Sequence, residues 1–314
     1  MLSGPGALLE STRVLPFKLV YDPRFNVDLG PHVFPSQKYR LLHERLLRSG
    51  LAGPADFIAP QPAGDDDVLR VHTAGYVRKL KSGKFTADEA RALEVPWSRE
   101  LVEAFWLAAG AAILAARSAR RDGCGFALCG GFHHAFPDHG EGFCLVHDVA
   151  VAIRTLRAAG ELRRVAIVDL DVHHGNGTGA IFAGDPDTFS VSLHQENNYP
   201  SAKPPSSVDV GLPDGVKDGP YLEALEEPLR RALEFGPGVL FYLAGADPYE
   251  HDLLGGLGLG FEGLMERDRR VLQACRAAGV PVAVTLAGGY AARSEDTVTI
   301  HLNTVLVASR VFAA

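Results

Sequence analysis

The sequence predicts an α/β domain, doubly wound around a mostly parallel sheet and flanked by helices, and three observations carry that prediction. Short apolar runs rich in β-branched residues alternate with longer amphipathic segments along the 314 residues. Those runs lack an apolar–polar alternation, as strands covered on both faces do. Several end abruptly in small residues followed by a polar group, which is where open α/β sheets bind ligands. Neither a repeat nor a linker interrupts the pattern, so residues 1–314 are expected to form a single domain.

Residues 17–21 read as a first strand, followed by a loop carrying Pro31, His32 and Pro35. Ser36 is placed to cap a helix through Leu47 that Gly50 ends, with Tyr39, Leu42 and Leu46 on its inner stripe. Residues 65–67 read as a charged, solvated loop. His72 reads as a satisfied core histidine, with a functional role as the other possibility. Thr86 and Glu89 form a capping box for a helix through Leu93. An Ala-rich helix over residues 98–120 delivers the chain to a strand at 126–129, broken by Gly130 and Gly131 ahead of F-H-H-A-F-P-D-H-G-E-G-F-C. A helix over 148–159 precedes the strand that opens at Val165, and 189–193 is the next strand. Residues 199–213 show no periodicity and are expected to form an irregular rim. Pro220 opens a helix to Phe235. A buried strand at 239–243 ends in A-G-A-D, and a helix over 263–278 leads into V-P-V-A-V-T-L-A-G-G-Y.

A net charge of −7 leaves no footprint for nucleic acid. The four cysteines (Cys124, Cys129, Cys144, Cys275) include no C-x-x-C, so reduced thiols and a cytoplasmic location are expected. The start, M-L-S-G-P-G-A-L-L-E, lacks the basic and apolar parts of a secretion signal. The apolar tract 105–116 falls short of the roughly 20 residues that span a bilayer and reads as a buried helix, so no membrane partner is expected.

The chemistry centres on residues 165–178, V-A-I-V-D-L-D-V-H-H-G-N-G-T. Asp169, Asp171 and His173 alternate, so in extended chain they project to one side. A strand terminus with solvated polar residues is the plain alternative. Three other strand ends carry His133 with His134, Asp247, and Tyr290, and parallel neighbours would bring all four into one crevice. Asp171, His173 and Asp247 then make a two-carboxylate, one-imidazole set that suits a catalytic divalent ion, zinc first and iron(II) or manganese as alternatives. Bound zinc would lower the pKa of its water to roughly 7. His133 and His134 supply a proton acceptor and donor near neutrality, and Asp169 can orient one of them. Tyr290 is either a hydroxyl donor to a developing oxyanion or an ordinary turn tyrosine.

With these residues in view, the chain resembles the zinc-dependent histone deacetylases of the arginase/deacetylase superfamily. The matching motifs are G-G-F-H-H, G-F-C, D-L-D-V-H-H-G-N-G-T, S-V-S-L-H, A-G-A-D with D-x-L-G downstream, and G-G-Y. The segment L-G-P-H-V-F-P-S-Q-K-Y-R is most similar to bacterial class IV members. The resemblance implies an amidohydrolase that removes acetyl or longer acyl groups from lysine in a protein or peptide. It implies zinc on Asp171, His173 and Asp247, with Fe2+ as an alternative, and His133 paired with Asp169. His134 would act as general base and then acid, and Tyr290 would stabilise the tetrahedral intermediate. Phe143 and Tyr199 would grip the lysine stem, core packing being their other reading, and the Gly142 carbonyl would accept the substrate amide. A structural K+ is implied near Asp169, Asp171, His173, Ser192 and Leu193, and a second near Phe182, Asp185 and Thr188.

Some positions depart from particular branches of that family. Asn176 stands behind the second imidazole where class I members carry Asp. An amide cannot hold a positive charge as a carboxylate does, so His134 should stay neutral. Gly175 takes the place of a further Asp ligand, so a two-manganese centre is not implied. Leu254 aligns with the gatekeeping Glu of polyamine deacetylases, which favours acyl-lysine over an acetylpolyamine or other small acylated amine. Glu94, in L-E-V-P, aligns with a rim Asp that orients the substrate backbone.

Two functions of other classes compete. Gly175, Gly177 and Ala180 fit a loose dinucleotide fingerprint with Glu196 downstream, but two aspartates would then face a pyrophosphate. A catalytically dead acyl-lysine binding module would need a missing catalytic group, and every group is present.

Overall fold

The computed structural model describes residues 13–313, so the N-terminal segment read for a secretion signal lies outside the described residues. Eight strands, β1 (Lys18–Val20), β2 (Phe57–Ile58), β3 (Cys124–Ala127), β4 (Val165–Asp169), β5 (Thr188–Gln195), β6 (Val208–Leu212), β7 (Val239–Leu243) and β8 (Val282–Thr285), form one sheet in the order β2-β1-β3-β8-β7-β4-β5-β6. Every neighbouring pair is parallel. β3, β4, β7 and β8 are buried along their whole length, which is why their sequences are apolar up to the polar ends of β4 and β8.

Among the described residues, ten α-helices surround the sheet: α1 (Gln37–Arg48), α2 (Asp65–Val68), α3 (Ala74–Ser82), α4 (Ala87–Leu93), α5 (Arg99–Asp122), α6 (Asp148–Ala158), α7 (Asn176–Ile181), α8 (Asp218–Glu234), α9 (Phe261–Ala278) and α10 (Ser294–Phe312). α5 packs on β1, β3, β8 and α6, while α8 packs on β4, β5 and α9. The 24 residues of α5 are long and apolar enough to cross a bilayer, but most are buried in the protein, as an all-round apolar helix should be. The α4 capping box is present, Glu89 N donating to Thr86 Oγ1 at 3.2 Å and Thr86 N to Glu89 Oε2 at 2.8 Å.

Several local expectations are corrected. Ser36 does not cap α1 with its side chain, because its hydroxyl donates instead to the Val27 carbonyl. Residues 65–67 are not a loop but the first turn of α2, where acidic side chains meet the positive helix end. β3 ends at Ala127, two residues before the expected terminus, although Leu128 N still donates to Val20 O at 2.9 Å. α8 starts at Asp218 and α9 at Phe261, each two residues early. The supposedly irregular 199–213 contains β6, an edge strand whose alternating exposure was hidden among prolines and serines. His72 is a satisfied core histidine: Nδ1 donates to Phe136 O at 2.9 Å and Nε2 accepts from His147 N at 3.1 Å.

Candidate active site

β3, β8, β7 and β4 are consecutive in the sheet, so the four strand ends singled out in the sequence are neighbours. They also end level, because Ala127 pairs with Thr285, Thr285 with Leu243, and Leu243 with Asp169. The crevice predicted from separate motifs is therefore one place.

Asp171, His173 and Asp247 bring one ligand atom each within 4.8 Å of the others, and all three are buried. His173 Nδ1 lies 2.9 Å from Asp171 Oδ1 and 3.5 Å from Asp247 Oδ2. Backbone amides aim the carboxylates: Val172 N donates to Asp247 Oδ1 at 2.9 Å, and Gly288 N to Asp171 Oδ2 at 2.7 Å. Asp247 Oδ2 is buried without a hydrogen-bond partner. An orphaned carboxylate oxygen beside an imidazole and a second carboxylate is what a divalent cation satisfies, so the residues fit such an ion. Burial opposes a charge on His173, yet its hydrogen bond to Asp171 and the nearby Asp247 carboxylate outweigh it and raise the imidazole to about 10. Burial and the Asp171 charge push Asp247 up to about 7.

The tandem imidazoles are held apart electrostatically. His133 Nδ1 donates to Asp169 Oδ2 at 2.6 Å. Burial works against its charge, but Asp169 and Asp171 raise it to about 9. His134 Nδ1 donates to Asn176 Oδ1 at 2.7 Å. Burial, then the charges of His133 and His173, hold His134 well below the ordinary range. The two Nε2 atoms lie 3.1 Å apart, within hydrogen-bond reach of one another.

Tyr290 follows Gly289, whose φ is 144°, and its ring lies 5.9 Å from Phe143 and 6.4 Å from His173. Burial and the Asp171 and Asp247 charges keep its phenol protonated, so it is a donor. Three residues that motif reasoning left without a role hold the strand-end loops. Asp252 accepts from Tyr290 N at 2.6 Å, Leu254 N at 2.9 Å and Gly255 N at 3.0 Å. Lys38, 1% exposed, donates to the carbonyl of Ala287, a non-glycine residue held at φ 52°. Burial lowers that lysine to about 8. Arg267, fully buried, donates to Gly245 O at 2.6 Å, two residues before Asp247. The signal for both cations was a charge on an apolar helical stripe: Lys38 precedes Leu42, and Arg267 stands between Leu264 and Val271. Glu141, also unassigned, bonds the Asn176 amide.

A narrow pocket reaches these groups, with Gly142, Phe143, Asp171, His173 and Tyr290 in its wall. Phe143, at φ 68°, also contacts His32 and Phe34, so it is part of an aromatic rim as well as the wall. Tyr199 stacks edge-on against His134 at 4.9 Å and His173 at 6.2 Å. Leu254 is half-buried, its carbonyl accepting from Asn198 Nδ2 at 2.8 Å. The exposed Glu94 ends α4 in a left-handed conformation, and its carbonyl accepts from His32 Nε2 at 2.7 Å.

Of the K+ candidates, Ser192 is the register partner of Asp169 and Leu193 is buried beside it. Around the second, Phe182 O accepts from Asp185 N at 3.0 Å and Asp185 O from Thr188 N at 3.3 Å, while Arg154 and Arg157 pair with the Asp185 carboxylate. The glycines of the dinucleotide pattern do not open a phosphate turn. A Cβ on Gly175 would sit 2.5 Å from Asp169 Oδ2, and one on Gly177 would sit 2.4 Å from Ala135 O. That loop is filled by the segment carrying the imidazoles.

Comparison with known proteins agrees with this geometry. Residues 32–306 match the histone deacetylase domain. An uncharacterized protein of Picosynechococcus sp. is 41% identical over 91% of this chain and 96% of its own length. The histone deacetylase-like amidohydrolase of Pseudomonas aeruginosa is 31% identical over 82% of this chain and 72% of its own. The crystal structure of the HDA15 HD domain superposes with a TM-score of 0.79 at 27% identity, covering 95% of this chain and 90% of that one. Since the matched residues run from the loop before α1 well into α10 and take in every strand end that builds the crevice, the chain belongs to the histone deacetylase domain family.

Proposed function

We propose that this deacetylase is a metal-dependent lysine deacylase, acting on acetyl or longer acyl groups carried by lysine side chains of proteins or peptides. The observation that carries the proposal is a pair of adjacent imidazoles, His133 held by the Asp169 carboxylate and His134 by the Asn176 amide, beside a buried three-ligand cation site; their surroundings drive the two rings' proton affinities apart. Neighbouring titratable groups driven apart by their surroundings mark an acid/base pair.

When bound to Asp171, His173 and Asp247, a divalent ion, zinc or in its place iron(II), supplies Lewis acidity to a water molecule and to the amide carbonyl. His134, neutral and fixed through its Nδ1–H on Asn176, offers Nε2 as the proton acceptor and returns that proton to the leaving amine. His133 keeps its charge on Asp169 and favours negative charge growing nearby. The Tyr290 hydroxyl donates to the developing oxyanion. Phe143 and Tyr199 flank the lysine stem, and the Gly142 carbonyl accepts the substrate N–H. Leu254 offers no charge to a cationic polyamine. A structural K+ among the backbone oxygens near Asp169, Ser192 and Leu193, and a reducing, cytoplasmic setting for the four free cysteines, belong to the same proposal.

A second, narrow apolar pocket shares Phe34, Phe132 and Phe143 with the first and continues among Phe25, Leu29 and Phe105, so an acyl chain longer than acetyl would have to part these side chains to enter it. The test is an acyl series on one lysine peptide, from acetyl to myristoyl, with kcat/KM and metal content measured on the same sample. Hydrolysis that chelation abolishes and zinc restores is the expected result. A protein full of metal that turns over no acyl-lysine, or only acetylpolyamines, refutes the proposal.

A further inference from the structure

Behind His134 stands an amide, and behind that amide stands a carboxylate. Asn176 Nδ2 donates to Glu141 Oε1, while Asn176 Oδ1 accepts from His134 Nδ1 at 2.7 Å and from Gly177 N at 3.0 Å. An ionised carboxylate only accepts, so Glu141 dictates which end of the amide faces it. The NH2 must turn toward Glu141, leaving the oxygen for His134. That in turn pins the proton of His134 on Nδ1 and leaves Nε2 with its lone pair.

Glu141 is itself well fixed. Cys144 N donates to Glu141 O at 2.9 Å, closing a tight turn, and the side chain is only 22% exposed. A Cβ on the preceding Gly140 would lie 2.4 Å from both Cys144 O and Tyr76 Oη, so the turn packs too closely to shift. His139 Nε2 lies 4.0 Å from Glu141 Oε2. The Tyr199 phenol also faces this carboxylate: burial first, then the Glu141 charge, keeps it protonated. One anionic group thus borders both the amide behind the base and the tyrosine that stacks on the base.

We propose that Glu141 is a positioning residue for the base: it orients the Asn176 amide, fixes the His134 tautomer, and lends through that amide the negative charge that Asn176 lacks. This rests on the role given to His134 above. Asn176 alone would be a weaker partner for an imidazole that must accept a proton, and Glu141 supplies the missing charge one residue further back. Partners of this kind around a site typically matter by about 10- to 100-fold.

The test is a double-mutant cycle on the metal-loaded protein. Glu141→Gln keeps an acceptor for the amide and removes the charge, while Glu141→Ala removes both. In the native background kcat is expected to fall about tenfold for the Ala variant and less for Gln, with metal content unchanged. In an Asn176→Asp background, where the base has a carboxylate of its own, the same Glu141 substitutions are expected to cost nothing or to raise kcat by relieving like-charge contact. Equal losses in both backgrounds, as a purely structural role gives, or no loss in either, overturn the proposal. Nitrogen-15 NMR of the histidines is independent of turnover: one imidazole pinned as the Nδ1–H tautomer should become a mixture in Glu141→Ala. If the native protein turns over no acyl-lysine, the proposed function fails, and an unchanged tautomer then also overturns the role of Glu141.

Discussion

Gly288 offers the most direct trial of the cation site. A Cβ at this position would lie 1.8 Å from Asp247 Oδ2 and 2.6 Å from Asp171 Oδ2. Ordinary contact begins near 3.4 Å, so in Gly288→Ala the Asp247 carboxylate must retreat by about 1.6 Å. Metal–ligand distances tolerate only about 0.2 Å. The Gly288 φ lies outside the left-handed region, so the backbone accepts a side chain and the damage is confined to the cradle.

Metal analysis of the purified protein is expected to fall from one ion per chain to below about a tenth, and hydrolysis with it. A thermal readout makes the same point without substrate. Zinc at about 100 times its Kd stabilises a protein by about 2.7 kcal/mol. In a chain of this size that is a Tm rise of about 4 °C. The native protein should show the rise, whereas Gly288→Ala should not. A variant that keeps stoichiometric zinc and the full rise would mean that Asp171 and Asp247 do not hold the ion.

Tyr290→Phe should lower kcat by about 10²- to 10³-fold with metal content intact, measured on the best acyl-lysine peptide; a loss below threefold removes Tyr290 from the chemistry. Asp252→Asn replaces a carboxylate that accepts from three backbone amides, so urea titration should show a loss of about 1–3 kcal/mol together with reduced kcat. Unchanged stability would show the G-G-Y loop to be held by other contacts. His72 is buried and lowered to about 4, against an ordinary 6.5, so the unfolded chain takes up the proton first as the solution is acidified. Its contribution is present above about pH 6.5 and is lost toward pH 4, at up to about 1.4 kcal/mol per pH unit. In His72→Gln, proton uptake on unfolding at pH 5 should drop by about one; no change would place the acid sensitivity in other residues.

What the sequence revealed and what it hid divide along one physical line. Strands buried on both faces announce themselves by continuous apolar runs, and β4, β7 and the centre of β5 were legible for that reason. β6, at the sheet edge, is half-exposed and lies among prolines and serines, so its period was masked. Residues whose own chemistry faces the crevice stood out by type and position: Asp171, His173, Asp247, and the paired imidazoles. Those that act through a neighbour did not. Asp252 was visible only as part of a motif, because its work is to bond three amides brought to it by the loop's return. Glu141 is one acidic residue in a glycine-rich turn until α7 carries Asn176 against it. Lys38 shows how such residues can still be found. A lysine one turn before Leu42 on a buried stripe has no water to meet, so it must meet a polar group, which here is the Ala287 carbonyl.

The three carboxylates at the strand ends share a single design that explains why the crevice is ordered. Each places one oxygen on a backbone amide and turns the other toward an imidazole. Asp169 accepts from Asp171 N at 3.2 Å and faces His133; Asp171 accepts from Gly288 N and faces His173; Asp247 accepts from Val172 N and has its second oxygen 3.5 Å from His173. The amide bonds tie the loop after β4 to itself, to the loop after β8 and to the loop after β7, so the carboxylates fasten neighbouring strand ends while aiming electron pairs inward. Orientation is thus set by the same bonds that fasten the ends of these central strands together, and no mobile side chain has to be frozen when a cation or substrate enters. It follows that replacing Asp171 or Asp247 should injure stability and site together. Replacing Tyr290 should injure the site alone, because its ring contacts aromatic neighbours that a phenylalanine would keep.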